Sequence, residues 1–268
     1  MDITITPPVK QGLVKKIEFF YQYSNKSGRN QYYTYPNNHC FWTVAFNTKK
    51  TYRKNVVYLE EDKGVGLNQI YVGPISNRIR VVYKGEVNVL SVCFKPLHIH
   101  SFLDKGLSLQ DNQLIFNTPE QSLLPNDLTM TVLEDDGPDK FLKLEQFLLS
   151  KFNQFNKPLL EEAIHLIESY PEYRIEDIAK RLNISVKSLT SNFKKYLGRT
   201  PLEYRRVHKF RKALSNQGKK LTEICYDSNY FDQSHMIKDF HKYGNQSPKE
   251  IKQRKNLSGT SNILWLKA

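Results

Sequence analysis

No apolar run in this sequence approaches the roughly 20 residues that a transmembrane helix requires. The first ten residues lack the basic start and apolar centre of a secretory leader. The chain has only three cysteines, Cys40, Cys93 and Cys225, which is an odd number without paired spacing. These absences argue against a membrane protein and against a disulfide framework, so we expect a protein of the reducing cytoplasm.

Positive charge is abundant and unevenly placed. Residues 156–268 carry 22 lysines and arginines against 12 acidic residues, whereas residues 1–155 carry 18 against 15. The excess peaks in 185–220, where eleven basic residues face Glu203 alone. Such asymmetry is typical of a protein whose C-terminal part binds a polyanion, although a basic surface can also serve solubility alone.

The first hundred residues have the pattern of short β-strands separated by polar and glycine-containing turns. We predict six strands, at 17–23, 41–46, 56–59, 70–72, 79–83 and 87–94. They indicate a small β-barrel or sandwich. Nine aromatic residues between positions 19 and 42 either fill its core or line a small-molecule pocket.

An amphipathic helix is predicted over 140–152. Phe141, Leu144, Leu148 and Phe152 fall on one stripe. A stripe this apolar has to pack either on its own domain or on a partner subunit, because exposed apolar patches of that size are rare on monomers.

From Pro158 to about residue 255 the pattern is helical and contains an internal repeat. Each copy has a short helix, a turn at an asparagine, a second helix, a glycine and a proline-initiated helix. The offset is 46 residues from Ile178 to Ile224 and 47 from Phe193 to Phe240. A short helix, a tight turn and an amphipathic helix together form a helix-turn-helix unit.

Local chemistry explains the repeated residue types. Asn183 and Asn229 suit a left-handed turn, and Ser185 and Asp232 suit the N-cap of the helix that follows. Gly198 and Gly244 are expected to end the second helices, and Thr200-Pro201 and Ser247-Pro248 to start the next ones. Two copies in the basic region predict two DNA-reading helices, at 186–197 and 233–243.

The most specific stretch runs from Asn229 to Ser234, followed by 240–244 and Ser247-Pro248. It resembles the signature of the arabinose-regulator (AraC/XylS) family of bacterial transcription factors, and the resemblance covers about 157–255. Asn229, Tyr230 and Cys225 replace the family's usual glycine, phenylalanine and alanine. The resemblance implies a sequence-specific transcription regulator with an N-terminal, often cupin-like, sensor and dimerisation domain.

The expected organisation is an α+β chain of two domains. A β-rich sensor domain spans 1–135, a helix and linker with a possible dimerisation role span 136–156, the double helix-turn-helix domain spans 157–255, and a tail spans 256–268. Expected partners are double-stranded DNA, a small-molecule effector, RNA polymerase and a second copy of the chain. We expect an activator, although the sequence leaves repression open.

Base edges are read by the first turns of each second helix. The residues expected to contact DNA are Ser185, Val186, Lys187, Thr190, Ser191 and Lys194 in the first copy, and Gln233, Ser234, Ile237, Lys238 and His241 in the second. Arg205, Arg206 and Lys209 on the connecting helix are expected either to contact the DNA backbone or to be solvated.

Catalysis finds little support. His98 and His100 would share one face of a strand, but no acidic ligand has matching spacing and Pro96 interrupts the strand, so we expect no metal, no cofactor and no enzyme. Two alternatives remain, a cupin-type metal-binding enzyme and a DNA-repair protein fused to a DNA-binding domain.

Overall fold

The computed structural model describes residues 2–102, 114–116, 139–153, 155–216, 218–254 and 265–267. The predicted domain boundary at residue 135 lies outside these residues. Within them no helix is long and apolar enough to cross a membrane.

The N-terminal domain is a sandwich of two β-sheets. Its strands are β1 (Asp2–Thr6), β2 (Ile17–Asn25), β3 (Arg29–Thr34), β4 (Cys40–Phe46), β5 (Thr48–Arg53), β6 (Val56–Glu61), β7 (Leu67–Val72), β8 (Ile79–Lys84), β9 (Val87–Phe94) and β10 (Leu114–Phe116), with a short helix α1 (Gln11–Val14) after β1. All six predicted strands are present. The sheets do not close into a barrel, so of the two predicted forms the sandwich is the one observed.

Strand order within the sheets is β1-β2-β9-β4-β7-β10 in one and β11-β3-β8-β6-β5 in the other, where β11 is Trp265–Lys267. Every described pairing is antiparallel except β6 with β8, which is parallel. Phe41, Val81 and Val89 from facing sheets share one buried cluster, so aromatic and β-branched side chains fill the space between the sheets.

The predicted amphipathic helix is α2 (Lys140–Ser150), and it packs on its own domain. Phe141, Leu144 and Leu148 are buried in one cluster with Trp42 and Phe94, on the outer face of the six-stranded sheet. Its buried Glu145 accepts hydrogen bonds from the main-chain nitrogens of residues 9 and 10, at 3.0 and 2.7 Å. The apolar stripe is therefore not available to a partner subunit.

The C-terminal domain is helical throughout its described length. The helices are α3 (Pro158–Ser169), α4 (Ile175–Arg181), α5 (Val186–Leu197), α6 (Pro201–Ser215), α7 (Leu221–Asp227), α8 (Gln233–Gly244) and α9 (Pro248–Lys252). The first unit is α4 and α5, the second is α7 and α8, and α6 connects them. Strand β11 returns to the N-terminal domain and pairs with β3, so the predicted tail docks back on the protein at 265–267.

Two separate apolar cores support the two units. Leu189 and Phe193 of α5 pack with Tyr204 at the start of α6, while Met236 and Phe240 of α8 pack with Phe210 further along α6. Each core also takes in the N-terminal domain, through Leu97 in the first and Tyr35 in the second. Helix α6 is thus shared by both cores, because its successive turns face different units.

Candidate nucleic-acid interface

Each helix-turn-helix unit turns at an asparagine in the left-handed conformation, as predicted. Asn183 has a φ of 54° and Asn229 a φ of 59°. The nitrogens of Ile184 and Tyr230, one residue later, donate to the carbonyls of Ala179 and Cys225, each at 3.0 Å. Asparagine tolerates this conformation better than most residues because its short polar side chain bonds locally. The two turns therefore share one geometry.

Both reading helices begin at the predicted N-caps. The Ser185 hydroxyl accepts the main-chain N–H of Ser188 at 3.0 Å, and the Asp232 carboxylate accepts that of His235 at 2.7 Å. The next helices begin with capping boxes, in which Thr200 pairs with Glu203 and Ser247 with Glu250. These caps fix where each helix starts and so which side chains lie in its first turn.

Hydrogen bonds at the capping boxes also set the charge of the two glutamates. Burial alone would raise the pKa of Glu203, but the bonds it accepts from Thr200 bring the pKa below its ordinary value. The backbone and side-chain bonds from Ser247 likewise lower the pKa of Glu250. Both carboxylates are thus ionised at neutral pH, and their negative charge stabilises the helix N-termini at which they lie.

The two second helices end differently from one another. Gly198 takes the left-handed C-cap position with a φ of 68°, as expected. In the second unit that position belongs to Asn245, with a φ of 50°, and Gly244 lies inside α8. A Cβ on Gly244 would come within 2.9 Å of the Ile251 Cδ1 atom. Gly244 is the last residue of α8, so the helix ends where expected, but the left-handed C-cap lies one residue later and the glycine permits close packing.

The residues expected to contact DNA lie at matching places in the two units. With the offset of 47 residues, Val186 corresponds to Gln233, Lys187 to Ser234, Thr190 to Ile237, Ser191 to Lys238 and Lys194 to His241. Thr190, Gln233 and Ile237 are half-buried and the others, including Ser185, are exposed. None of these side chains is therefore fully buried.

One residue of this surface was not predicted from the sequence to contact DNA. The offset rises from 46 to 47 because the second turn contains one extra residue, Phe231, between Tyr230 and the N-cap Asp232. Its side chain is 94% exposed. The change of offset was the signal that could have revealed it. An exposed phenylalanine at the start of α8 adds an apolar group beside Gln233 and Ser234.

The basic residues of α6 have unequal surroundings. Arg206 is exposed. Lys209 donates from Nζ to the main-chain oxygen of Asn229 at 2.6 Å. The Nε and Nη2 atoms of Arg205 are buried without a hydrogen-bond partner among the described residues, and burial lowers the pKa of its guanidinium. Of these three residues, Arg206 alone is exposed to a phosphate backbone.

The histidines considered as metal ligands have structural surroundings. Residues 98–101 form a 3₁₀ turn, not a strand, so His98 and His100 do not share a strand face. His100 stacks on Phe155, and its Nε2 atom is 2.8 Å from the main-chain oxygen of Tyr196 in α5. Among the described residues no group of three or more histidine, cysteine or acidic side chains is arranged to hold a metal ion.

Residues 178–254 match the sequence model of a helix-turn-helix domain family. ToxT from Vibrio cholerae has a similar solved structure, with 16% identity over 87% of this chain and 97% of that one, at a TM-score of 0.49. The C-terminal domain of AraT, a response regulator from Geobacillus stearothermophilus, is 21% identical over 36% of this chain and 85% of that one, at a TM-score of 0.35.

A probable AraC family transcriptional regulator from Rhodopseudomonas palustris is 17% identical over 36% of this chain and 96% of that one, with a TM-score of 0.32. No curated protein matches the sequence.

Proposed function

We propose that this chain, which carries a helix-turn-helix domain, is an AraC-type transcription regulator that reads duplex DNA with α5 and α8 in successive major grooves. The observation that carries this proposal is the matched pair of capped helices whose first turns are solvent-accessible. The connecting helix α6 has 15 residues, about 22 Å at 1.5 Å per residue. With the widths of the flanking helices added, the reading helices would lie about 34 Å apart, one turn of the duplex.

Each proposed contact follows from side-chain chemistry. Gln233 is suited to paired hydrogen bonds with adenine, and Ile237 and Val186 to contact with a thymine methyl group. Hydroxyl groups are offered to base edges by Thr190, Ser191 and Ser234. Ser185 caps α5 and would lie beside the DNA backbone. Lys187 and Lys238 reach guanine or phosphate, whereas Lys194 and His241, further along each helix, reach phosphate.

The test is selection of bound sequences from a random pool of duplexes. We expect two conserved half-sites with centres about 10 bp apart, one for each reading helix. A single half-site, or no enrichment by the purified protein, would exclude this mode of binding.

A charge reversal at Lys238 then tests whether α8 contacts DNA. Lys238→Glu is expected to weaken binding to the selected duplex by about tenfold or more, since it removes a contact and adds repulsion. Lys63→Glu is the matched control, because its side chain is 81% exposed on a turn of the N-terminal domain. Equal affinities of the two variants, both folded by circular dichroism, would argue against α8 as a reading helix.

We assign no catalytic role to the N-terminal domain. Burial raises the pKa of the Cys40 thiol to about 12 and holds that of Cys93 well above its usual range. Neither thiol is therefore a nucleophile at neutral pH. A bound metal ion would be needed to activate either thiol, so metal analysis of the purified protein tests both the DNA-repair and the cupin-type alternatives.

The sheet domain is proposed to receive a small-molecule effector. A cavity of about 90 Å³ lies between the sheets, lined by apolar groups such as Val57, Leu59 and Val81 and by Tyr21, Tyr32 and Tyr83. Ligand sites commonly measure about 300 Å³ or more, so an effector would have to displace lining side chains. We further propose a cytoplasmic homodimer that acts on RNA polymerase, with a dimer contact other than the buried stripe of α2.

A further inference from the structure

The repeat places Arg199 and Gln246 at equivalent positions, 47 residues apart. Each is the residue before the N-cap that starts the next helix, Thr200 for α6 and Ser247 for α9. Each follows the left-handed residue that ends a reading helix, Gly198 or Asn245. A contact at either position therefore holds the end of a reading helix directly.

Both positions contact the same short segment of the N-terminal domain. The guanidinium of Arg199 is 2% exposed and donates from Nη1 to Asn38 Oδ1 at 2.8 Å and from Nη2 to Ser76 Oγ at 3.3 Å. Two residues beyond Ser76, Arg78 donates from Nη1 to Gln246 Oε1 at 2.9 Å. The segment of residues 76–78 lies between β7 and β8. Its first residue thus bonds the first helix-turn-helix unit, and its last residue bonds the second.

Neighbouring groups hold this segment in place. The main-chain N–H of Asn37 donates to the carbonyl of Ile75 at 3.0 Å, in an isolated antiparallel bridge. The Arg78 guanidinium lies over the Tyr33 ring, 4.3 Å from its centroid. The Gln246 Oε1 atom also accepts from Arg254 Nε at 3.2 Å. A planar guanidinium bound to an amide and an aromatic face has a defined orientation.

Within the C-terminal domain itself, the two units are linked by one helix, and the N-terminal domain links them a second time through Leu97, Tyr35 and residues 76–78. The two units have separate cores that share only α6, which is long and connects to each core by different turns. Small changes in the packing of either end of α6 would rotate one reading helix relative to the other. The apolar contacts of Leu97 and Tyr35 lie in the cores, whereas residues 76–78 bond the ends of the two reading helices and so limit that rotation most directly.

The segment also adjoins the cavity. Ile75 and Ile79, which flank it, both line the space of about 90 Å³ between the sheets. A ligand that enlarges this space has to move lining side chains, because packed interiors are not compressible. Displacement of Ile75 or Ile79 reaches Ser76 and Arg78 through one or two peptide units.

We propose that residues 76–78 form a clamp that sets the placement of the two reading helices relative to each other and transmits displacement from the cavity to both. The residues of the clamp are positioning residues, since they act through Arg199 and Gln246. Its role in gene control rests on the proposed function, but its mechanical role does not.

The direct test is a distance measurement by electron spin resonance in the full chain without DNA. Nitroxide labels are attached at Lys195→Cys and Lys242→Cys, which are exposed and equivalent in α5 and α8, while the native cysteines are buried. We expect the double variant Ser76→Ala, Arg78→Ala to broaden the distance distribution about twofold. Arg53→Ala, at the exposed end of β5, is the control and should leave it unchanged.

An unchanged distribution in a folded double variant would overturn the clamp. Should the double variant not fold, Arg78→Lys is measured in its place, since an ammonium cannot reproduce the planar guanidinium contacts with Gln246 and Tyr33. Broadening is again expected there, and a distribution identical to the parent again overturns the proposal.

A cavity-filling variant tests the connection to the pocket. Val81→Phe adds four carbon atoms to the cavity lining, and we expect it to shift the mean label distance by about 1–2 Å. The shift should vanish when Ser76→Ala and Arg78→Ala are also present. A folded Val81→Phe protein with the parent distance would show that the cavity does not act through the clamp.

Duplexes with altered spacing supply the functional readout. Insertion of one base pair between the selected half-sites should weaken binding about tenfold in the parent and about threefold or less in the clamp variant. Equal losses would overturn the inference while the proposed function stands. Absence of any DNA binding by the parent would overturn the proposed function and leave the distance measurement to decide on the clamp.

Discussion

Lys209 and Asn229 are joined by a hydrogen bond from the lysine Nζ atom to the asparagine main-chain oxygen, at 2.6 Å. Asn229 is the left-handed residue of the second turn, so the connecting helix α6 holds that turn from outside the unit. Burial lowers the pKa of Lys209. A basic residue in the most cationic part of the sequence therefore stabilises the turn, and its charge is not directed at a polyanion.

Replacement of Lys209 should consequently affect folding. Lys209→Met keeps the apolar stem but leaves the Asn229 carbonyl without this donor, which we expect to cost about 1–2 kcal/mol of unfolding free energy. Thermal unfolding should show a melting temperature lower by a few degrees. Lys212→Met, an exposed site on the same helix, is the control. Equal melting temperatures for the two variants would contradict this role.

Gly244, the last residue of α8, should accept a methyl group only at the cost of moving the buried Ile251 side chain. Alanine would gain about 1 kcal/mol in helix propensity, but its Cβ would lie 2.9 Å from the buried Ile251 side chain, and overpacking of this kind costs about 1–3 kcal/mol. We expect Gly244→Ala to be destabilised in denaturant titrations. Gly218→Ala has no atom within 4 Å of the new Cβ and should be neutral or slightly stabilised. A Gly244→Ala protein as stable as the parent would refute the packing argument.

Lys50 gives the protein a pH dependence at alkaline pH. Its stem is partly exposed, but its Nζ atom is buried without a partner among the described residues, and burial lowers its pKa from 10.5 to about 7. Between pH 7 and 10.5 the unfolded chain binds this proton and the folded chain does not, so this group makes stability rise with pH over that window.

The measurement is thermal unfolding at several pH values. Lys50→Met is expected to be more stable than the parent at pH 7, because the variant has no ammonium group to desolvate. For the same reason it should lack the increase in stability that the parent shows between pH 7 and pH 10. Lys49→Met, exposed on the same strand, serves as the control. Parallel pH profiles of the parent and the Lys50→Met protein would show that folding does not lower the pKa of Lys50.

Salt dependence separates the two roles proposed for Lys238. If its ammonium neutralises a phosphate, Lys238→Gln should lower the slope of log affinity against log salt by about 0.9. If it reads a guanine, the variant should instead relax selectivity at one base pair. Titrations of the selected duplex and its point variants distinguish the outcomes, and a variant that changes neither quantity would remove Lys238 from the interface.

Local chemistry explains which parts of the fold were predictable. The turns at Asn183 and Asn229 and the N-caps Ser185 and Asp232 follow from the residues themselves, because backbone conformation there depends on one or two side chains. Strands β3 and β5 were missed because they are rich in polar residues and lie near or at the edge of a sheet. Hydrophobic alternation is weak in such strands.

Contacts between the domains could not be predicted. Asn38, Ser76 and Arg78 are common surface residue types, and nothing in their local sequence distinguishes them from solvated neighbours. Their partners lie more than 120 residues away along the chain. Such pairs depend on how two finished domains meet, which a single sequence does not encode in any local pattern.

Strand β11 delays the completion of the five-stranded sheet during synthesis of the chain. The exposed edge of β3 pairs with residues 265–267, which leave the ribosome more than 200 residues after β3 itself. At about 5–20 residues per second, that interval is roughly 10–50 s. During that period β3 has an unpaired edge. In the nascent chain this edge can therefore pair with strands of other molecules before β11 has been synthesised.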